Sequence, residues 1–227
     1  MSLLELKGVT KEYSRGRVSV KALRGIDLSI EPGEFLSIAG PSGSGKSTLL
    51  NLVGCLDVPT SGSIILDGEP LEKLNPQELA LVRREKVGFI FQTFNLIPVL
   101  TAFENVELPL VLLKEDPKTI KDKVMKILEA VGIADLADRR PQDMSGGQQQ
   151  RVAIARALVK EPKYVLADEP TANLDSENGK AVLEIMREMN ERLGTTFIFS
   201  THDQMVMDFA KRLVRLKDGQ IISDERR

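Results

Sequence analysis

Apolar and polar residues alternate through much of the first thirty positions, with Leu4 and Leu6, then Ile26, Leu28 and Ile30, falling on one face of an extended chain. A period of two predicts half-buried antiparallel strands between Leu3 and Ile30, a small β region. Phe35 to Ala39 is a short, mostly apolar run closed by Gly40-Pro41, and a helical pattern from Ser47 to Leu56 follows directly. That order is strand, glycine loop, helix. Ile64-Ile65-Leu66 before Asp67-Gly68, and Val214 to Leu216 before Asp218-Gly219 and Ile221-Ile222, each predict a hairpin.

In the middle of the chain the period changes. Ile120, Val124, Ile127, Leu128 and Val131 recur at helical spacing and stop at Gly132, while Val152 to Val159 forms a second apolar helix behind Ser145, a good cap residue. A helical block is therefore expected over roughly residues 93–160. Strand patterns flank it at Val87 to Phe91 and at Tyr164 to Ala167, the latter ending at Asp168. A helix from Ser176 to Leu193 ends at Gly194, and Thr195 to Ser200 is again β-branched and aromatic. Short apolar strands alternating with helices predict an α/β fold, a mainly parallel sheet with flanking helices. No internal repeat, low-complexity tract or long linker divides the chain. Residues 1–227 read as a single domain. About 1–92 and 161–227 form its core with the N-terminal antiparallel β subdomain, and about 93–160 form an inserted helical subdomain.

Composition narrows the function classes. Of the 227 residues, 31 are basic and 33 acidic, a net charge of -2, which argues against a protein that coats nucleic acid. Apolar stretches such as Val106 to Leu113 are short and interrupted by Glu107 and Pro109, far from the roughly 20 residues of a membrane-spanning helix. Charged residues interleave directly after Met1, so no secretory leader is expected, and the cytoplasm is the expected location. The single cysteine, Cys55, excludes an internal disulfide framework or thiolate cluster, and the single histidine, His202, excludes a His-rich metal site.

The chemistry is concentrated in the glycine loop. Gly40, Pro41, Ser42, Gly43, Ser44, Gly45, Lys46 and Ser47 fit G-x-x-x-x-G-K-[ST] in full, between a buried strand and a helix start that continues into Thr48. The glycines let backbone N–H groups turn toward phosphate oxygens, and the helix dipole favours their charge. Lys46 can reach the β and γ phosphates and the Ser47 hydroxyl can hold Mg²⁺. A second half of such a site is expected at the end of another buried strand, where Asp168 can hold Mg²⁺ through water and Glu169 can orient or deprotonate the attacking water.

Met144-Ser145-Gly146-Gly147-Gln148 goes beyond a generic phosphate loop. It resembles the signature motif of ATP-binding cassette (ABC) ATPases, usually Leu-Ser-Gly-Gly-Gln, with Met144 in place of leucine, a volume-conserving exchange. The resemblance covers essentially the whole chain and implies the ABC ATPase fold, with ATP and Mg²⁺ as ligands. It also implies roles for individual residues. Tyr13 stands where the family stacks an aromatic on adenine, and Gln92 matches the glutamine that links the metal to the helical block. Asn173-Leu174-Asp175 resembles a loop that crosses a dimer interface, and His202 the histidine that senses the γ phosphate. Ser145, Gly146, Gly147 and Gln148 would cap the γ phosphate held by the opposite subunit, so that ATP drives formation of a homodimer.

A cassette without a membrane span implies separate transmembrane permease subunits, and a place on the inner face of the cell membrane. The segment Thr93 to Val106, rich in large apolar residues and broken by Pro98, is a candidate groove for helices of such a partner; packing of the helical block explains the same residues equally well. Gly-Cys-Leu-Asp at 54–57, Pro59-Thr60-Ser61-Gly62, and the Phe94 to Pro98 run most resemble cassettes of the lipoprotein-release and macrolide-export group. The competing reading is a soluble ABC-type ATPase that acts as an ATP-gated switch without a transport role.

Overall fold

The computed structural model describes residues 2–15 and 18–227. Met1, and Gly16 and Arg17 within the region read as strand from Leu3 to Ile30, lie outside the described residues. In chain order the elements are β1 (Leu4–Arg15), β2 (Val18–Ile30), β3 (Phe35–Ala39), α1 (Lys46–Val53), β4 (Ser61–Leu66), β5 (Glu69–Pro70), α2 (Pro76–Lys86) and β6 (Val87–Ile90). There follow α3 (Ala102–Leu112), α4 (Pro117–Ala130), α5 (Gly146–Leu158), β7 (Tyr164–Asp168), α6 (Ser176–Leu193), β8 (Thr196–Thr201), α7 (Gln204–Phe209), β9 (Arg212–Lys217) and β10 (Gln220–Arg226). They gather into two compact units, Met1–Arg83 with Thr196–Arg227, and Arg84–Thr195.

In the first unit β1 pairs antiparallel with β2 and with β4, and β5 pairs with β4. The alternation in the sequence sets the inner face, since Leu4, Leu6, Ile26, Leu28 and Ile30 are all buried. A second sheet is built on β3, which pairs in parallel with β8 and with β9, while β10 runs antiparallel to β9. Every residue of β3 and β8 is buried. Burial on both faces is why these strands read as continuous apolar runs. Both expected hairpins form, with Asp67 and Gly68 at φ 51° and 83°, and Asp218 and Gly219 at φ 50° and 77°.

Four details depart from the sequence pattern. Helix α1 ends at Val53 instead of continuing to Leu56, because Gly54 caps it and buried Cys55 turns to φ 56°. The strand expected to reach Phe91 stops at Ile90. Helix α2 was not apparent from the pattern, yet it carries a reciprocal cap: Asn75 Oδ1 accepts from the Gln77 and Glu78 amides, and the Glu78 carboxylate accepts from the Asn75 amide. The short α7, capped by Asp203, was also missed.

In the second unit β6 and β7 pair in parallel. Helices α3, α4 and α5 follow one another in this unit, which also holds β6, β7 and α6. Each of these three helices starts on a side-chain cap, from Thr101, Asp116 and Ser145 respectively. Ile120, Val124 and Leu128 are buried along α4, and Gly132 and Gly194 follow α4 and α6 at φ 72° and 67°. No helix among the described residues is long and apolar enough to cross a membrane.

Candidate functional site

Within the first unit the glycine loop connects the end of β3 to α1. Close packing dictates two of its glycines. A Cβ on Gly40 would fall 2.1 Å from the Leu216 carbonyl oxygen of β9, and one on Gly45, at φ 104°, would fall 2.7 Å from the Ala22 carbonyl oxygen of β2. The Asp218-Gly219 hairpin pins the loop, its Gly219 amide donating to the Ser44 carbonyl at 3.0 Å. The sequence marked this turn but not its task.

Helix α1 starts on Gly45 without a side-chain cap, whereas α3, α4, α5 and α6 each have one. Its first-turn N–H groups and positive dipole end are therefore not taken up by a capping side chain and suit an anion. Lys46, only 8% exposed, donates from Nζ to the Gly40 carbonyl at 2.7 Å and the Pro41 carbonyl at 3.1 Å, which places a cation over the loop. Ser44 is buried and its Oγ has no hydrogen-bond partner among the described residues. Pro41, Ser42, Gly43 and Ser47 are exposed and Thr48 is half-buried. An ammonium, an orphaned hydroxyl and an uncapped helix start around one loop fit the phosphates of a nucleotide.

Tyr13, on β1, is 42% exposed and sits opposite Val20 of β2, which is 57% exposed. Its hydroxyl donates to Asp57 Oδ2 at 2.9 Å; Lys11 Nζ donates to Asp57 Oδ1 at 2.6 Å and lies 5.0 Å from the Tyr13 ring centre. Burial, reinforced by the Asp57 carboxylate, raises the Tyr13 pKa. Burial also pushes the Asp57 carboxyl up, but hydrogen bonds from Lys11, the Val58 amide and Tyr13 outweigh it and hold the carboxyl below its ordinary value. Sequence reasoning singled out Tyr13 but not the Lys11–Asp57 pair that fixes its ring. His202 is exposed directly after β8, between buried Thr201 and Asp203, whose amide donates to Thr201 Oγ1 at 2.9 Å.

The second unit carries the remaining residues singled out in the sequence. Asp168 ends β7 half-buried, and Glu169 follows at φ 45°, a left-handed backbone that disfavours a side chain. Ser145 caps α5 reciprocally with Gln148: Ser145 Oγ accepts from the Gln148 amide at 3.3 Å, and Gln148 Oε1 accepts from the Ser145 amide at 2.9 Å. The Asn173-Leu174-Asp175 loop is brought against this helix start. A Cβ on Gly146 would lie 3.4 Å from Leu174 Cδ2, and one on Gly147 only 2.6 Å from Asn178 Oδ1. Exposed Asp175 caps α6, and the backbone and side-chain hydrogen bonds from Asn178 hold its carboxyl below its ordinary value.

Exposed Gln92 joins the same group, since Asn173 Nδ2 donates to its carbonyl oxygen at 2.8 Å. The segment after it divides. Ala102, Val106 and Leu110 are core, whereas Ile97 and Val99 are 40% and 71% exposed. Phe94 and Asn95 are both left-handed, at φ 60° and 50°, and Arg156 of α5 donates to their two carbonyls at 2.7 and 2.6 Å. Fully buried Asn105 holds the next turn, accepting from the Ile97 amide and donating to the Ile97, Leu100 and Thr101 carbonyls. Neither Arg156 nor Asn105 was marked by the sequence as a loop clamp.

The sequence profile described as ABC transporter matches residues 23–172. The chain belongs to the ABC transporter ATPase family. This cassette is similar to the uncharacterized ABC transporter ATP-binding protein MJ0796 of Methanocaldococcus jannaschii, 46% identical over 228 residues that cover 99% of this chain and 97% of the relative. It is also similar to the macrolide export ATP-binding/permease protein MacB of Bdellovibrio bacteriovorus, 48% identical over 99% of the cassette but only 34% of MacB. Among solved structures, a dimeric post-hydrolysis state of MJ0796 bound to ADP and Pi matches the cassette with a TM-score of 0.89, at 45% identity over 98% of both chains. The cbiO1 protein of Clostridium perfringens, part of the ABC transporter complex cbiONQ, matches with a TM-score of 0.90, at 32% identity over 99% of the cassette and 88% of that chain.

Proposed function

We propose that the cassette dimerises around two ATP molecules and, by hydrolysing them, drives conformational change in separate membrane subunits, on whose cytoplasmic side it is held. The observation that carries this reading is the uncapped start of α1 beneath the buried Lys46 ammonium. Residues Gly40 to Thr48 bind the phosphates, with Lys46 on the β and γ oxygens, and Tyr13 stacks on the base.

Ser47, Gln92 and Asp168, the last through water, would hold Mg²⁺. All three offer oxygen donors, the ligand type this ion prefers, and among the described residues no cluster of three or more His, Cys, Asp or Glu forms a protein cage. When bound, the ion supplies charge neutralisation on the β and γ oxygens. Glu169 then accepts a proton from the attacking water, while Lys46 and His202 stabilise the negative charge on the transferring phosphoryl group.

Ser145, Gly146, Gly147 and Gln148 cap the γ phosphate of the opposite subunit, and Asn173, Leu174 and Asp175 line the dimer interface. Both α5 cap bonds are neutral ones, and a charged phosphate is a stronger acceptor for the same helix-start N–H groups. Loss of the γ phosphate removes these contacts and opens the pair.

Exposed Ile97 and Val99, held on a clamped loop, support the Thr93 to Val106 segment as part of the docking face for membrane subunits. The work done is lipoprotein release or macrolide or peptide export, and similarity to the macrolide export protein MacB supports the export side of that reading. Lys46→Ala tests the site itself. Titration with ATP is expected to show affinity reduced about tenfold or more, as for loss of a charge-assisted contact. Unchanged affinity contradicts the assignment.

A further inference from the structure

Gln150, on the helix that Ser145 opens, is completely buried. Its Nε2 donates to the Pro170 carbonyl oxygen at 2.6 Å. Only the NH₂ end of an amide can meet a carbonyl oxygen, so the partner fixes the orientation of the side chain. The other end, Oε1, is buried with no hydrogen-bond partner among the described residues. An apolar side chain of the same size avoids burying that acceptor, so stability alone does not account for a glutamine here.

What the bond holds is the carbonyl of Pro170, the residue that follows Glu169, itself at φ 45°. A non-glycine residue keeps this conformation only where its surroundings over-determine it. Two bonds do so on the exit side: the Ala172 amide donates to the Glu169 carbonyl at 3.2 Å, and Gln150 to that of Pro170. The first is local to the turn. The second comes from α5.

We infer that Gln150 is a positioning residue for Glu169, tying the helix that carries Ser145 to the strained backbone that aims the general base. The inference rests on the proposed reading of Glu169. Its consequence is that a displacement of α5, when its first turn engages the partner subunit's nucleotide, is transmitted to the carboxylate of the same subunit. The helix then reports engagement at one site to the base of the other.

Steady-state ATP hydrolysis by the full chain with Mg²⁺ tests this. Gln150→Met keeps the length and removes the donor; kcat is expected to fall about tenfold or more, as small misplacements of reacting groups do, with KM for ATP within about twofold. A wild-type kcat, or a loss confined to KM, overturns the inference. Gln150→Glu adds a readout that packing alone does not give. A buried carboxyl has its pKa raised and donates only while protonated, so the ratio of its kcat to wild type is expected to fall as pH rises. A pH-independent ratio overturns the inference even if Gln150→Met fails to fold. Glu169→Gln separates the two levels: turnover at the wild-type rate removes the general-base reading and this inference with it. A dead Glu169→Gln beside a fully active Gln150→Met removes this inference alone.

Discussion

The Tyr13 hydroxyl donates to the Asp57 carboxylate at 2.9 Å, and the Lys11 ammonium anchoring that carboxylate lies over the Tyr13 ring. The exposed aromatic is thus held in one orientation by a charged pair before any base arrives. Base stacking on an aromatic contributes about 1–3 kcal/mol. Tyr13→Leu is expected to raise KM for ATP about tenfold with kcat little changed, and Asp57→Asn to raise it less, by about twofold to fivefold through a freer ring. Kinetics over a range of ATP concentrations check both; unchanged KM in Tyr13→Leu contradicts the adenine assignment.

Asn105 satisfies four backbone groups of the turn from Ile97 to Thr101 with one fully buried amide. Leucine at this position takes their side-chain partner from the Ile97 amide and the Leu100 carbonyl, or forces the turn open. Asn105→Leu is expected to lose about 1–3 kcal/mol of stability, the cost of unsatisfied buried groups. Amide exchange should then quicken at residues 97–101 while β3 and β8 keep their protection. Thermal denaturation and hydrogen exchange measure the two effects, and wild-type exchange in that turn contradicts the clamp.

Elements with a clean period were legible in the chain. The alternation to Ile30, the apolar runs of β3, β7 and β8, the α4 stripe and both Asp-Gly hairpins all follow from side-chain burial, which the sequence carries directly. Helix α2 was missed because its apolar face is only Leu79 and Val82, although Asn75 and Glu78 spell a cap. The glycine loop before α1 and the Ser145 helix start were legible as structure because glycines and caps mark them. The left-handed Phe94, Asn95 and Glu169 were not, since nothing in those residue types asks for positive φ. Distant groups impose it, namely Arg156 on the first two and Gln150 beside the third.

Lys160 is partly buried with Nζ donating to the Arg84 carbonyl at 2.7 Å, and burial lowers its pKa to about 8. Between that value and the ordinary lysine pKa of about 10.4, the unfolded chain binds the proton that the folded chain has lost, so this group makes stability rise with pH. Lys160→Met removes the penalty of burying the ammonium. Its melting temperature relative to wild type is expected to be most favourable near neutrality and to decline as pH rises through the 8 to 10 window. A difference that stays constant over that window contradicts the assignment.

The central claim is that ATP joins two cassettes and that Glu169 is needed to release them. Glu169→Gln preserves shape while removing the proton acceptor, so bound ATP persists. Light scattering during gel filtration measures the mass directly. The account predicts a stable dimer of Glu169→Gln with ATP, a monomer with ADP, and a monomer with ATP when Ser145→Arg blocks the start of α5. A chain that stays monomeric with ATP, or that dimerises equally with ADP, contradicts it.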